Sequence, residues 1–146
     1  MVADQVTASV HVDADIGAVY EHFTNAEAMI TWMGECADLD AREGGHFSVD
    51  VGGSSVRGSY LSLDPPHRIV FTWGFVGSEV LPPGASTVEV RLSRVTGGTR
   101  VDIIHRLLPP VEMDKHAPGW RHFLDRLAAA GGNGKAAGTD EAARPT

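Results

Sequence analysis

An α+β fold, with one long C-terminal helix clasped by a curved antiparallel sheet, is the architecture this sequence predicts. Three observations point to it. Between residues 5 and 107, most of the chain breaks into short stretches of alternating apolar and polar residues separated by glycine and proline turns, the pattern of antiparallel strands. Near the C-terminus the period changes: Trp120, Phe123, Leu124, Leu127 and Ala128 fall at i, i+3, i+4, i+7 and i+8, one face of a helix. The strands precede this helix instead of alternating with it, which segregates the two kinds of element. A stripe headed by Trp120 needs a broad apolar surface to lie against, and a curled sheet supplies one.

Val6, Ala8, Val10 and Val12 alternate with Thr7, Ser9 and His11, so a half-buried strand opens the chain. Asp13 and Asp15 offer N-cap oxygens for a short helix through Phe23, with Ile16, Val19, Tyr20 and Phe23 on its apolar face. Thr24-Asn25-Ala26-Glu27 fits a capping box in which Thr24 and Glu27 satisfy each other's backbone N–H. A second short helix carrying Met29, Ile30, Trp32 and Met33 follows, and Gly34 ends it. Cys36 to Arg42 reads as a weak strand, and His46 to Val51 as one with Phe47, Val49 and Val51 inward. From Val56 to Asp64 both Tyr60 and Leu61 call for burial, so a bulge is expected near Gly58. Arg68 to Phe75 places Ile69, Phe71, Trp73 and Phe75 on one face. Thr87 to Val95 turns Val88, Val90 and Leu92 inward, and Gly97-Gly98 joins it to Thr99–Leu107, where Val101, Ile103 and His105 share a face. Pro109-Pro110 breaks the sheet before the final helix, and Gly131-Gly132 supplies residues that commonly end one. The expected count is six or seven strands.

A chain of 146 residues suits a single domain, here residues 1–130, followed by a flexible tail over 131–146 that lacks periodicity. A net charge of −7 with only two lysines, Lys115 and Lys135, argues against nucleic acid, whose phosphates need clustered basic residues. No apolar run approaches a membrane span and the N-terminus lacks an export signal. The lone Cys36 excludes an internal disulfide, and a cytoplasmic location is the expectation.

Several segments together resemble a known family. Val19–Phe23, Thr24-Asn25-Ala26-Glu27 and Thr31-Trp32-Met33-Gly34 look like the start of a Bet v 1/START-like (SRPBCC) helix-grip domain. Gly44-Gly45, Pro65-Pro66-His67-Arg68-Ile69-Val70-Phe71-Thr72-Trp73, Thr87-Val88-Glu89-Val90 with Gly97-Gly98-Thr99 and His105, and Gly119-Trp120 agree with the branch of the heat-shock protein 90 ATPase activator C-terminal domain. The resemblance spans about residues 6 to 130, and the ordered set is more specific than any one piece. It implies a helix-grip fold with a hydrophobic cavity under the long helix. It implies less about activity, since such folds carry lipids and hormones, cyclise substrates or regulate chaperones. Eukaryotic chaperone activators have a separate N-terminal domain for which this chain has no room, so chaperone ATPase activation itself is not the expectation.

The chemistry-bearing residues are sparse. Seven histidines show no HxxxH or HxH spacing on one element, and no Cys/His cluster exists, so neither a metal nor a cofactor is expected. There is no GxSxG elbow, and none of the glycine pairs opens a helix as nucleotide-binding loops do. Glu89, Arg91, Arg100 and Asp102 read as cross-strand pairs on a solvated outer face. His105 stands out, because a histidine on an inner apolar face is either a cavity donor, a general base, or a buried ring bonded to backbone or water.

Three readings follow. In the first, a small apolar or aromatic ligand sits between sheet and helix, lined by Trp32, Phe47, Tyr60, Phe71, Trp73, Val90, His105, Trp120 and Leu124, with His105 and Tyr60 as its polar contacts. In the second, the chain is a chaperone-associated regulator, monomeric or homodimeric, that engages a protein partner. In the third, it is a cyclase- or hydrolase-like enzyme using His105 as acid or base, which requires a carboxylate or second histidine within reach.

Overall fold

The alternation from Val6 to Val12 yields the first strand, β1 (Gln5–Val12), in the computed structural model, which describes residues 5–139 and their side chains through residue 131. Two short helices follow, α1 (Ile16–Glu21) and α2 (Ala26–Met29). Their caps differ from the sequence expectation. Asp15 is the N-cap of α1 but makes no side-chain capping bond. Asn25, not Thr24, caps α2: its Oδ1 accepts from the Ala28 N–H at 3.0 Å. Thr24 is still bound into the end of α1, its N–H donating to the Glu21 carbonyl and its hydroxyl to the Tyr20 carbonyl at 3.3 Å. The better capping residue one position on therefore takes over.

Six strands then run consecutively: β2 (Cys36–Leu39), β3 (His46–Val51), β4 (Ser54–Asp64), β5 (Arg68–Trp73), β6 (Ser86–Val95) and β7 (Gly98–Arg106). They pair as an antiparallel meander, and β1 adds beside β7, giving the order β1-β7-β6-β5-β4-β3-β2. The result is an open, curved, seven-stranded sheet with a long C-terminal helix, α3 (Pro110–Thr139). The bulge in β4 lies at Leu61, where the register against β5 shifts between Tyr60 and Ser62, and not at Gly58. It resolves the competition between neighbours: Tyr60 is fully buried while Leu61 turns outward and is half exposed. β5 stops at Trp73, because Gly74 and Phe75 part from β6, the Phe75 N–H donating to the Leu81 carbonyl at 2.8 Å, while they stay beside β4 through the Val56–Phe75 bridge.

Helix α3 begins earlier and ends later than the sequence pattern suggests. Pro110 occupies its first position, where a missing N–H costs nothing, and Pro118 lies inside it. The helix passes through Gly131 and continues to Thr139. Gly131 serves close packing: a Cβ there would meet Val12 Cγ1 at 2.5 Å, so only glycine lets α3 settle against the end of β1. The remainder of the expected tail, residues 140–146, lies outside the described residues. No helix among the described residues is long and apolar enough to cross a membrane.

The core fills the space between the sheet's inner face, α3 and the two-helix insert. Phe47 stacks on Phe71 at 4.2 Å, Tyr60 meets Phe47 edge-on at 5.7 Å, and Phe23 meets Trp32 at 5.0 Å. Polar tips are tied off as they are buried: the Tyr60 hydroxyl donates to the Phe23 carbonyl at 2.9 Å, and Trp32 Nε1 to the His22 carbonyl at 2.9 Å. Arg126 on α3 donates to the Trp32 carbonyl at 3.0 Å, which fastens the insert to the long helix.

The outer face departs from a plain solvated surface at one point. Glu89 does face outward, yet it is only 3% exposed. Arg68 on β5, Arg91 beside it on β6 and Arg106 on β7 donate to its carboxylate at 2.7, 2.8 and 2.8 Å. Burial opposes its ionisation, but the bonds from Arg91, Arg68 and Arg106 outweigh that and hold the carboxyl down at about 2. A charge-assisted bond contributes roughly 1.5–3 kcal/mol, so this residue stitches three adjacent strands, β5, β6 and β7. Glu89→Ala is expected to lower the unfolding free energy by about 2–3 kcal/mol at neutral pH. Urea denaturation measures it, and a loss below about 0.5 kcal/mol would place Glu89 among ordinary surface pairs.

Candidate functional site

At the end of β5, Trp73 pairs with Ser86, the first residue of β6, and His105 on β7 lies opposite Val88. Above them α3 presents Glu112, His116 and Trp120, spaced four apart and so stacked along one helix face. These residues form a hydrogen-bonded chain across the domain. Trp120 Nε1 donates to His105 Nδ1 at 3.0 Å, and His105 Nε2 lies 2.8 Å from Ser86 Oγ. The Ser86 hydroxyl donates to the Trp73 carbonyl at 2.8 Å. Trp73 Nε1 donates to His116 Nε2 at 3.2 Å, and His116 Nδ1 is 2.9 Å from the Glu112 carbonyl.

An indole N–H can only donate, so each histidine must accept at the nitrogen facing its tryptophan. His105 therefore carries its proton on Nε2 and gives it to Ser86, while His116 carries its own on Nδ1 and gives it to the Glu112 carbonyl. Both rings are neutral in this arrangement. Burial, aided by His116 at a ring distance of 5.1 Å, pushes His105 from the ordinary 6.5 down to about 3.

Next to this network lies a cavity of about 400 Å³. Its apolar walls are Val51, Val56, Trp73, Phe75, Trp120 and Phe123, and Glu112, Lys115, His116, Ser54 and Ser78 give it a polar margin around Gly119. It opens between the β3–β4 end of the sheet and the N-terminal half of α3. Of the residues expected to line a ligand site, Trp73 and Trp120 border this cavity. Trp32, Phe47, Tyr60, Phe71, Val90 and Leu124 are packed in the core, each at most 1% exposed. Burial raises the Tyr60 hydroxyl, with Tyr20 and Asp40 adding to the effect, and its proton is already spent on Phe23. His105 is fully buried with both ring nitrogens engaged, which leaves it no lone pair or proton facing the cavity.

Glu112 and His116 were not among the expected site residues. The signal was present, since they extend the Trp120 stripe backward by eight and four residues. It was obscured because Pro109-Pro110 reads as a break before the helix and the apolar stripe that marks the helix begins only at Trp120. Among the described residues, no group of three or more His, Cys, Asp or Glu side chains is placed to hold a metal ion.

The chain matches known proteins over most of its length. The family model described as activator of Hsp90 ATPase homolog 1-like protein matches residues 13–132. Among solved structures, an AHSA1-like protein from Rhizobium etli is 36% identical, covers 88% of this chain and 82% of its own, with a TM-score of 0.67. CalU16 from Micromonospora echinospora is 28% identical, covering 86% of this chain and 74% of its own, with a TM-score of 0.72. The Aha1 dimer from Colwellia psychrerythraea is 18% identical over 92% of this chain and 99% of its own, with a TM-score of 0.79, and so speaks to the fold. No curated protein matches.

The histidine network makes the fold acid-sensitive in a defined window. Between pH 6.5 and about 3 an unfolded chain takes up a proton at residue 105 that the folded chain refuses. Stability from this group is thus complete above pH 6.5 and falls as the pH drops through the window. From neutral pH to pH 5 the loss is about 2 kcal/mol, before Glu89 begins to protonate in the unfolded chain near 4.5. Thermal unfolding across this range should show a midpoint that declines in the wild type and is flatter in His105→Gln. Equal slopes would mean that His105 is not the responsible group.

Proposed function

The chain belongs to the activator of Hsp90 ATPase homolog 1-like family, and from that membership we propose that it binds a small apolar or aromatic molecule in the cavity beside α3. The observation that carries this reading is the cavity itself, about 400 Å³ with walls from Trp73, Phe75, Trp120 and Phe123. That volume falls within the range of small-molecule sites, which are mostly apolar with a few convergent polar groups. The reading differs from the sequence expectation in position. The ligand lies under the first half of α3, at the open end of the sheet, and the inner ring cluster of Phe47, Tyr60 and Phe71 acts as the floor's support.

Acid–base catalysis by His105 is disfavoured by the same geometry. The second histidine that such a role requires is close, but it points its Nε2 at Trp73 and not at His105. Both His105 nitrogens are held by neighbours, so a reacting group in the cavity meets neither.

Gly119 provides the test. It borders the cavity, and a Cβ there would meet no atom within 4 Å. Gly119→Leu therefore fills the space while favouring the helix by up to about 1 kcal/mol. Native mass spectrometry of the gently purified wild type is expected to show a small molecule that leaves on denaturation, or a panel of apolar ligands to raise its thermal midpoint. Gly119→Leu should keep the fold and lose both effects. A wild type that is empty and unresponsive to the panel would favour the partner-binding reading instead.

A further inference from the structure

Glu112 is the buried acceptor that the network leaves over. Its side chain is 10% exposed, and it borders the cavity from the first turn of α3. Its carboxylate contacts are long: Lys115 Nζ at 3.7 Å from Oε2 and His116 Nδ1 at 3.5 Å from Oε1. Neither is a normal charge-assisted bond, which runs about 2.7–2.9 Å. The His116 proton is committed to the Glu112 backbone carbonyl at 2.9 Å. Lys115 reaches in from solvent, 68% exposed, and touches only the other oxygen. A nearly buried carboxylate without a close donor is costly to leave unmet. A helix-terminus role alone accounts for an acidic residue here but not for its burial against a cavity.

We propose that the cavity takes an aromatic amine, its ammonium group bound by Glu112 and its ring held against Trp73 and Trp120. This rests on the ligand-binding reading above and names the class of ligand. An ammonium supplies the short donor that Glu112 Oε1 lacks. The indole faces of Trp73 and Trp120 attract a cation as well as an aromatic ring. The protein's net charge of −7 draws cations toward it, and repels acids, at long range. Lys115 competes weakly for the same carboxylate from the rim.

Isothermal titration with three matched probes tests the assignment: 2-(2-naphthyl)ethylamine, 2-(2-naphthyl)ethanol and 2-naphthylacetate. The wild type should bind the amine at least about tenfold tighter than the alcohol, with the acid weakest. Glu112→Gln should bring amine and alcohol within about threefold of each other, and Lys115→Met, a change at an exposed residue, should tighten the amine alone. Gly119→Leu should bind none of the three. If amine and alcohol bind the wild type equally, or if the preference survives Glu112→Gln, the amine assignment is overturned while the cavity reading stands. Should Glu112→Gln fail to fold, an unchanged amine affinity in Lys115→Met overturns it. If no probe binds the wild type, the cavity reading and the assignment fall together.

Discussion

Two indole N–H groups set the constraint on which the rest of the structure depends. Trp73 and Trp120 are both buried, and a buried donor left without an acceptor costs roughly 1–3 kcal/mol. Each finds a histidine nitrogen, and the two bonds run in opposite directions between sheet and helix. Trp120 on α3 donates down to His105 on β7, and Trp73 on β5 donates up to His116 on α3. Apolar packing alone tolerates small slides of a helix over a sheet. These reciprocal bonds do not, because a shift of one turn in α3 removes both acceptors at once. The depressed value of His105 expresses the same constraint: a protonated ring has no lone pair at Nδ1 and would orphan the Trp120 N–H.

This arrangement divides the interior into two parts with different chemistry. On the side facing the sheet's centre every polar atom of the network is paired, and the nearby rings of Phe47, Tyr60 and Phe71 are closely packed. On the side facing the β3–β4 end of the sheet the packing opens. Phe75 has parted from β6 for the Leu81 carbonyl while staying bridged to Val56, and Gly119 leaves open space at the cavity margin. The outer face solves a separate problem, with one carboxylate binding the arginines of three adjacent strands and giving the curved sheet lateral cohesion where α3 cannot reach.

Much of the fold was legible because alternation is local. Val6 to Val12, His46 to Val51 and Arg68 to Trp73 state their inward faces within a few residues, and the observed burial follows them. Alternation says which face a residue takes but not what covers it. Glu89 reads correctly as outward, yet two of the three arginines that bury it come from the neighbouring strands, and the strand register that sets them beside it is not written in the local pattern. Position along a sheet is equally silent: Phe71 and Trp73 share one strand face, and only the geometry of α3 decides that Trp73 meets the cavity while Phe71 is sealed beneath it. The start of α3 was hidden for a different reason. Pro109-Pro110 signals a break before the helix, whereas Pro110 sits at the one helix position that needs no N–H and tertiary packing carries the helix through Pro118.

The same geometry bears on what kind of chemistry the site can perform. A catalytic base needs a lone pair directed at its reactant, and an acid needs a proton free to leave. His105 and His116 have both nitrogens committed, with tautomers dictated by neighbouring indoles, so moving a proton at either ring means breaking a bond that positions α3. Glu112 is different, because its carboxylate borders the open cavity and its nearest donors stand at 3.5 and 3.7 Å. Its acceptor capacity is unspent and costs the fold nothing to engage. The histidines serve the architecture, and under the proposed ligand-binding reading recognition falls to the Glu112 carboxylate.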